Sequence, residues 1–379
     1  MLEILDVSYN SLEGTLSRTF FSSFINLRGL VLSDNSRLVI SIEEDWIPPF
    51  NLDIILLGSY ELGPRFPKWI QLQTNFSYFD ISNTSIFDSI PVSFWNSLSS
   101  NLLYLNMSYN QFYGTLPNLL DISYAFEIDL SSNHFEGVVP SGLALNTSFL
   151  YLNDNRFSNC SYFLCPKAES ILEILDLPNN LCFGELPDCW MNFTQLTSLH
   201  LENNRFSGKI PNSIGYNLLS GYIPPRIGNA SRSLGALILR KNHFIGAIPE
   251  SICQFKNLQI LDLAINRILG VIPNCIGNLM AMMKGIKNLG MYFDSGVLAL
   301  NEHYEPETKT DTVVVSWKRV EQRFKETIKF VKYIDLSRNE LSGEIPDGIS
   351  ILSGLESLDL SKNKLSGNIP FEIGNLTAL

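Results

Sequence analysis

The 379-residue chain lacks any run of some 18 apolar residues, which excludes a membrane-spanning helix within it. Histidine is scarce: His134, His200, His243 and His303 are the only four, and no two stand at metal-ligand spacing. There is no CxxC pair and no glycine-rich phosphate loop. No catalytic residue, metal site or cofactor is therefore expected, and the chain is not read as an enzyme. Basic residues are in the minority, 27 Lys and Arg against 38 Asp and Glu, for a formal charge of −11. That balance argues against nucleic acid, whose binding needs basic stripes. The first residues, Met1-Leu2-Glu3-Ile4-Leu5-Asp6, carry two acids and do not read as a signal peptide.

What the chain has is one phrase, restated along its length. Written LxxLxLxxNxLxGxIP, it appears as LEILDVSYNSLEG at 2–14, LTSLHLENNRFSGKIP at 196–211 and LESLDLSKNKLSGNIP at 355–370. Its Asn slot falls at Asn10, Asn35, Tyr60, Thr84, Asn110, Asn133, Asn155, Asn180, Asn204, Asn217, Asn242, Asn266, Asn339 and Asn363. Most intervals are 22 to 26 residues. A fixed period of this kind signals a solenoid, each unit a coil that cannot bury its apolar side alone. The LxL core alternates at the strand period, leucines inward and the residue between them outward on the concave face. An Asn after the strand offers an amide to backbone groups that the bend leaves unpaired, and successive coils should stack these into a ladder. Gly, four residues after the landmark in ten units, supplies unusual turn angles. Pro, seven after it in eleven units, suits the first position of a short outer helix. Tyr60 and Thr84 interrupt the ladder and read as tolerated irregularities. Asp80, Asp129, Asp176, Asp262, Asp335 and Asp359 look like a paired-acid array but recur because the LDLS phrase recurs.

Cysteine placement speaks to compartment. Cys165 and Cys189 lie ten and nine residues after successive landmarks, and Cys253 and Cys275 eleven and nine after theirs. Adjacent strands are ~4.8 Å apart and disulfides want Cα atoms ~4.4–6.8 Å apart, so bridges Cys165–Cys189 and Cys253–Cys275 are sterically reasonable and imply an oxidising compartment. Cys182 reads as a small core hydrophobe and Cys160 has no aligned partner. Sequons stand at Asn75, Asn83, Asn106, Asn146, Asn159, Asn192, Asn229 and Asn375, although a chain this rich in Asn, Ser and Thr would carry roughly five by chance. A glycan at Asn106 would project from the concave face.

The phrase breaks in three places. Asn204 to Asn217 is only 13 residues, half a coil, which must loop out or lack a strand. Asn266 to Asn339 is 73 residues: a methionine cluster at Met280, Met282 and Met283, an acidic patch at Glu302, Glu305, Glu307 and Asp311, a β-branched run from Thr312 to Trp317 that reads as a strand, and a charged stretch from Lys318 to Lys332 that reads as a strand or short helix. The chain also starts and stops inside repeats, so it reads as truncated at both ends, with exposed leucine cores that favour aggregation.

The phrase resembles the extracellular, plant-type leucine-rich repeat. LGPRFPKWI at 62–70, FDISNTSIFDSIPVSFWN at 79–96 and GELPDCWMNFTQLTSLHLENNRFSGKIP at 184–211 resemble the ectodomain of plant receptor-like proteins of the fungal-xylanase-receptor kind. The resemblance implies an α/β fold: a right-handed solenoid or horseshoe with a parallel sheet on its concave face and 3-10 or short helical segments on the convex one. The organisation expected is repeats over 1–279 (irregular near 205–225), an island at 280–331 and repeats over 332–379. The family implies that such an island helps bind ligand or co-receptor, which singles out Tyr304, Trp317 and Lys318. On the concave face the departures from the bland Asp-Ser slots are Tyr78, Tyr104, Phe149, Tyr151, Asn153, His200, Glu202 and Arg240, a mix of aromatics and charges suited to an extended peptide or protein. The family further implies location at the outer face of the plasma membrane, a membrane anchor in the full-length protein, and defence signalling through membrane receptor kinases as co-receptor or adaptor. A receptor kinase ectodomain, a secreted inhibitor of microbial wall-degrading enzymes and a non-functional gene remnant are the alternatives.

Overall fold

The computed structural model describes residues 2–35, 37–98, 101–117, 124–211, 214, 234–283, 313–317, 320–324 and 331–379, with backbone alone at 97, 313–317 and 320–324. They form two compact units: residues 1–196 with 200–207, and 197–199 with 208–379.

In the first unit each repeat contributes a short strand to a parallel sheet. Ile4–Asp6, Gly29–Val31, Ile54–Leu56, Tyr78–Asp80, Tyr104–Asn106, Ala125–Asp129, Thr147–Tyr151 and Ile174–Asp176 pair in chain order. In the second, Ala236–Ile238, Ile260–Asp262, Tyr333–Asp335 and Ser357–Asp359 do the same. The pairing is fixed by the period-2 pattern: Leu105, Leu150, Leu175, Leu261 and Ile334 point inward and are fully buried.

The Asn slot holds the coils together. Asn110 Nδ2 donates to the carbonyls of Met107 and Ser108 in its own coil and to Ile81 of the preceding one, at 2.8 Å. Its Oδ1 accepts the Thr84 and Ile86 N–H groups, each at 3.1 Å. Asn133, Asn155, Asn180 and Asn204 repeat the arrangement in the first unit, and Asn266, Asn339 and Asn363 in the second. At Thr84 the hydroxyl takes over one duty, donating to the Ile81 carbonyl at 2.7 Å. At Tyr60 the phenol is buried and its OH finds no partner among the described residues. The Leu62 and Gly63 N–H groups there turn to the main-chain oxygen of Thr84 instead.

Two features differ from the expectation. The segment after the Asn slot is a second strand: Tyr113–Thr115, His134–Val138 and Arg156–Asn159 form a three-stranded sheet, Phe183–Glu185 pairs with residues 205–207 of the strand Arg205–Gly208, and His243–Gly246, Arg267–Gly270, Glu340–Gly343 and Lys364–Leu365 continue the pattern in the second unit. The late Pro stands one position earlier than expected, as the extended residue before the helical turn. Pro249, Pro273, Pro346 and Pro370 precede 3-10 segments, each with φ near the value its ring dictates. Their carbonyls accept the first i+3 N–H, from Ile252, Ile276, Ile349 and Ile373.

The island interrupts the chain but not the second unit's coil stack. Ile260 stands in register with Tyr333. Asn339 Nδ2 reaches back to the Leu263 carbonyl at 3.0 Å, as if no residues intervened. Lys332 Nζ ties the two ends of the excursion by donating to the Met283 carbonyl at 2.7 Å, and the Gly354 N–H further along the chain donates to that of Met282 at 2.9 Å. Within the island Val313–Trp317 and Val320–Phe324 pair antiparallel. The acidic patch and the Asn217 half coil lie outside the described residues. In the second unit the Thr197 carbonyl accepts N–H groups from Gly235 and Ala236, so the strand beside Thr197–Leu199 is Ala236–Ile238.

Candidate binding face

The side chains that alternate with the buried leucines form rows across the first unit's sheet. One row runs Tyr78, Tyr104, Glu127, Phe149 and Ile174; the next runs Asp80, Asn106, Asp129, Tyr151 and Asp176. Strands only ~4.8 Å apart cannot hold several large rings side by side without the rings covering one another. Tyr78 and Tyr104 accordingly stack, with centroids 6.5 Å apart and planes at 27°, and Phe149 meets Phe126 edge-on at 4.8 Å. The sequence expectation of freely exposed aromatics is corrected: Tyr104, Phe149, Tyr151 and His200 are buried, His200 to 3% exposure. Tyr78, Asn153 and Glu202 remain half-buried. His200 Nδ1 lies 3.6 Å from Asp176 Oδ1.

Glu127 joins this face although sequence reasoning passed it over. It stands six residues before its landmark Asn133, as Tyr104 does before Asn110, and the parallel register sets the two side by side. The Tyr104 phenol is pushed well above its ordinary value, first by burial and then by the charges of Asp80 and Glu127.

Arg240, expected as an exposed contact, is occupied internally in the second unit. Its Nη1 donates to Asp262 Oδ2 at 3.1 Å and Asp335 Oδ2 at 2.8 Å, and the Tyr333 hydroxyl donates to the same Asp335 oxygen at 2.8 Å. Both carboxylates are buried. Burial pushes the Asp262 carboxyl up to about 7, with Arg240 opposing and Asp335 reinforcing the shift. This network is a structural brace across three strands.

The other expected sites fall as follows. Tyr304, Lys318 and Asn229 lie outside the described residues, and Trp317 is described by its backbone alone, paired with Val320. Asn75, Asn83 and Asn375 are exposed, and Asn146, Asn159 and Asn192 partly so, Asn192 Nδ2 donating to the Pro166 carbonyl at 2.7 Å. Asn106 is corrected as a glycan acceptor: it is 4% exposed, its Oδ1 accepts from the Ser108 N–H and hydroxyl, and its Nδ2 points to Tyr104 and Asp80. Cys165 is joined to Cys189 and Cys253 to Cys275, with Cα separations of 5.5 and 5.7 Å. Cys182 is corrected as well. It is bonded to Cys160, Cα atoms 5.6 Å apart, a pairing hidden because the two stand at different distances from their landmarks. Among the described residues no group of three His, Cys, Asp or Glu side chains is placed to hold a metal ion, and no helix is long and apolar enough to cross a membrane.

The sequence matches the family described as Leucine Rich Repeat at residues 1–23, 101–121, 195–218, 257–279, 330–352 and 354–376. It is 36% identical over 383 residues to Receptor-like protein EIX2 of Solanum lycopersicum, a match covering 91% of this chain and 37% of that protein. To Receptor-like protein EIX1 of the same plant it is 37% identical over 380 residues, covering 91% and 36%. Among solved structures, the plant peptide hormone receptor RGFR1 in complex with RGF2 superposes with a TM-score of 0.68, over 100% of this chain and 58% of that one, at 23% identity, a likeness of fold. Fold and repeats together define a leucine-rich-repeat solenoid protein. Within that class the chain is similar in sequence to the plant receptor-like proteins, and it spans a little over a third of the length of those relatives.

Proposed function

We propose that the chain is part of the ectodomain of a plant cell-surface receptor-like protein and binds an extracellular peptide or protein on its sheet face. The observation that carries this reading is the 36% identity to a receptor-like protein across 91% of the chain. The fold is one that a plant peptide hormone receptor, RGFR1, also uses. Three bridges, Cys160–Cys182, Cys165–Cys189 and Cys253–Cys275, suit an oxidising, extracellular setting, and the accessible sequons suit glycosylation there. The half-buried Tyr78, Asn153 and Glu202 remain the contact candidates, backed by the more deeply set Tyr104, Phe149, Tyr151 and His200. The island, with Tyr304, Trp317 and Lys318, is a further contact for ligand or co-receptor. Signalling in defence through partner receptor kinases, and a membrane anchor in the whole protein, complete the reading.

The test exposes the immobilised chain, and a Tyr78→Arg/Asn153→Arg variant, to extracellular fluid from healthy and fungus-challenged plant tissue. The wild type is expected to retain a peptide or protein that the variant releases. Identical retention by both would overturn the assignment of binding to this face.

A further inference from the structure

The two units treat the strand carboxylates differently. In the second, Arg240 sits between Asp262 and Asp335 and pairs with both from within. In the first, the face from Ile54 to Glu202 carries Asp80, Glu127, Asp129, Asp176 and Glu202, and no Lys or Arg occupies any of its outward strand positions. His200, beside Asp176, is the one titratable base in those rows. Glu127 and Asp129 are buried and contribute through their field, whereas Asp80, Asp176 and Glu202 keep access to water. Next to Asp80 the half-buried ring of Tyr78, stacked on the buried Tyr104, offers the π surface that a guanidinium or ammonium group favours.

We infer that this face receives an extended, positively charged segment of a protein ligand, one cationic side chain reaching Asp80 beside Tyr78 and a second reaching Asp176. The inference rests on the proposed binding role and names the chemistry of the ligand. Its spacing follows from the register. Asp80 and Asp176 are separated by four strand steps, or ~19 Å at ~4.8 Å per step. A polyproline-II segment rises 3.1 Å per residue with three residues per turn, so side chains about six residues apart project on the same side and span ~19 Å. Complementary charge on such a surface sets encounter rate and register as much as affinity.

The probe is a labelled peptide of about seven residues in all, arginine at both ends and proline and serine between them, compared with the same peptide ending in glutamates and with one whose arginines stand about three residues apart. Titration at low and high salt is expected to give at least about tenfold tighter binding of the widely spaced arginine peptide, weakened by salt. Asp80→Asn/Asp176→Asn should cost that preference. The Asn at 80 keeps the oxygen that accepts the Ser82 N–H at 2.7 Å, and circular dichroism checks the fold. Glu340→Gln, an exposed partner of Lys364 in the second unit, should leave binding unchanged. Equal affinity for the arginine and glutamate peptides, or an unaffected double carboxamide variant, overturns the inference. If extracellular fluid yields a ligand that Tyr78→Arg/Asn153→Arg releases but Asp80→Asn/Asp176→Asn retains, the binding face stands and the cationic ligand is overturned.

Discussion

Asn110 makes five contacts of hydrogen-bonding length to main-chain groups, all in a buried setting. Asn110→Ala leaves several buried N–H and C=O groups unmatched, each worth about 1–3 kcal/mol. A loss of about 3 kcal/mol or more is expected in urea denaturation, and a loss under 1 kcal/mol would deny the ladder its role. Tyr60, in the same slot, behaves in the opposite sense. Its hydroxyl is buried without a partner among the described residues, and burial drives its pKa upward. Tyr60→Phe removes that unmet group and should leave stability unchanged or raise it by about 1 kcal/mol. The ladder was legible in the sequence because an Asn ending a strand has few other uses. The Tyr60 exception was legible as an irregularity, but not its cost, since a single slot does not reveal whether a phenol reaches water. The same blindness applies to Tyr104, Phe149 and His200, whose outward placement followed from alternation while their burial depended on ring-against-ring crowding across neighbouring strands.

Asp262 titrates within a brace formed by three strands, facing Arg240, Asp335 and Tyr333. Its folded pKa is raised from 3.8 to about 7. A carboxyl whose folded pKa is raised favours the native state fully below the unfolded value, and that contribution is lost as pH rises through the folded one. Thermal stability of the wild type should therefore decline between about pH 4 and about pH 7 relative to Asp262→Asn, which keeps the oxygen that accepts the Ala264 N–H at 3.0 Å. Parallel pH profiles for the two would rule out Asp262 as the titrating group. Another element-scale constraint lies on the outer side of the second unit, where Asn274–Asn278 packs on Asp347–Ile351 across the island. A Cβ at Gly277 would fall 2.5 Å from the Gly348 carbonyl oxygen. Gly277→Ala should cost about 1–3 kcal/mol by forcing the segments apart, whereas Gly374→Ala, with nothing within 4 Å, should not. Elements like these were only partly readable. Tyr113–Thr115 and Phe183–Glu185 are three residues long with a central Gly, which reads as a turn until a neighbouring coil pairs with it.

At the scale of the molecule the repeated phrase specifies the coil, and its exceptions specify what each unit presents. In the second unit Arg240 is turned onto Asp262 and Asp335; in the first, Asp80 stands beside Tyr78, and the outward strand positions from Ile54 to Glu202 hold no Lys or Arg. The Cys160–Cys182 bridge belongs with the exceptions, since the coil after Asn155 lacks both the usual Gly and the usual Pro, and slot counting fails there. The central claim is that ligand binds across the sheet face of the first unit. Hydroxyl-radical footprinting of the glycosylated chain, with and without the ligand captured from extracellular fluid, tests it most directly. Half-buried Tyr78 should become protected while Tyr113 and Tyr162, 43% and 74% exposed elsewhere on the surface, stay reactive. Protection of Tyr113 or Tyr162 with Tyr78 unchanged would contradict the account.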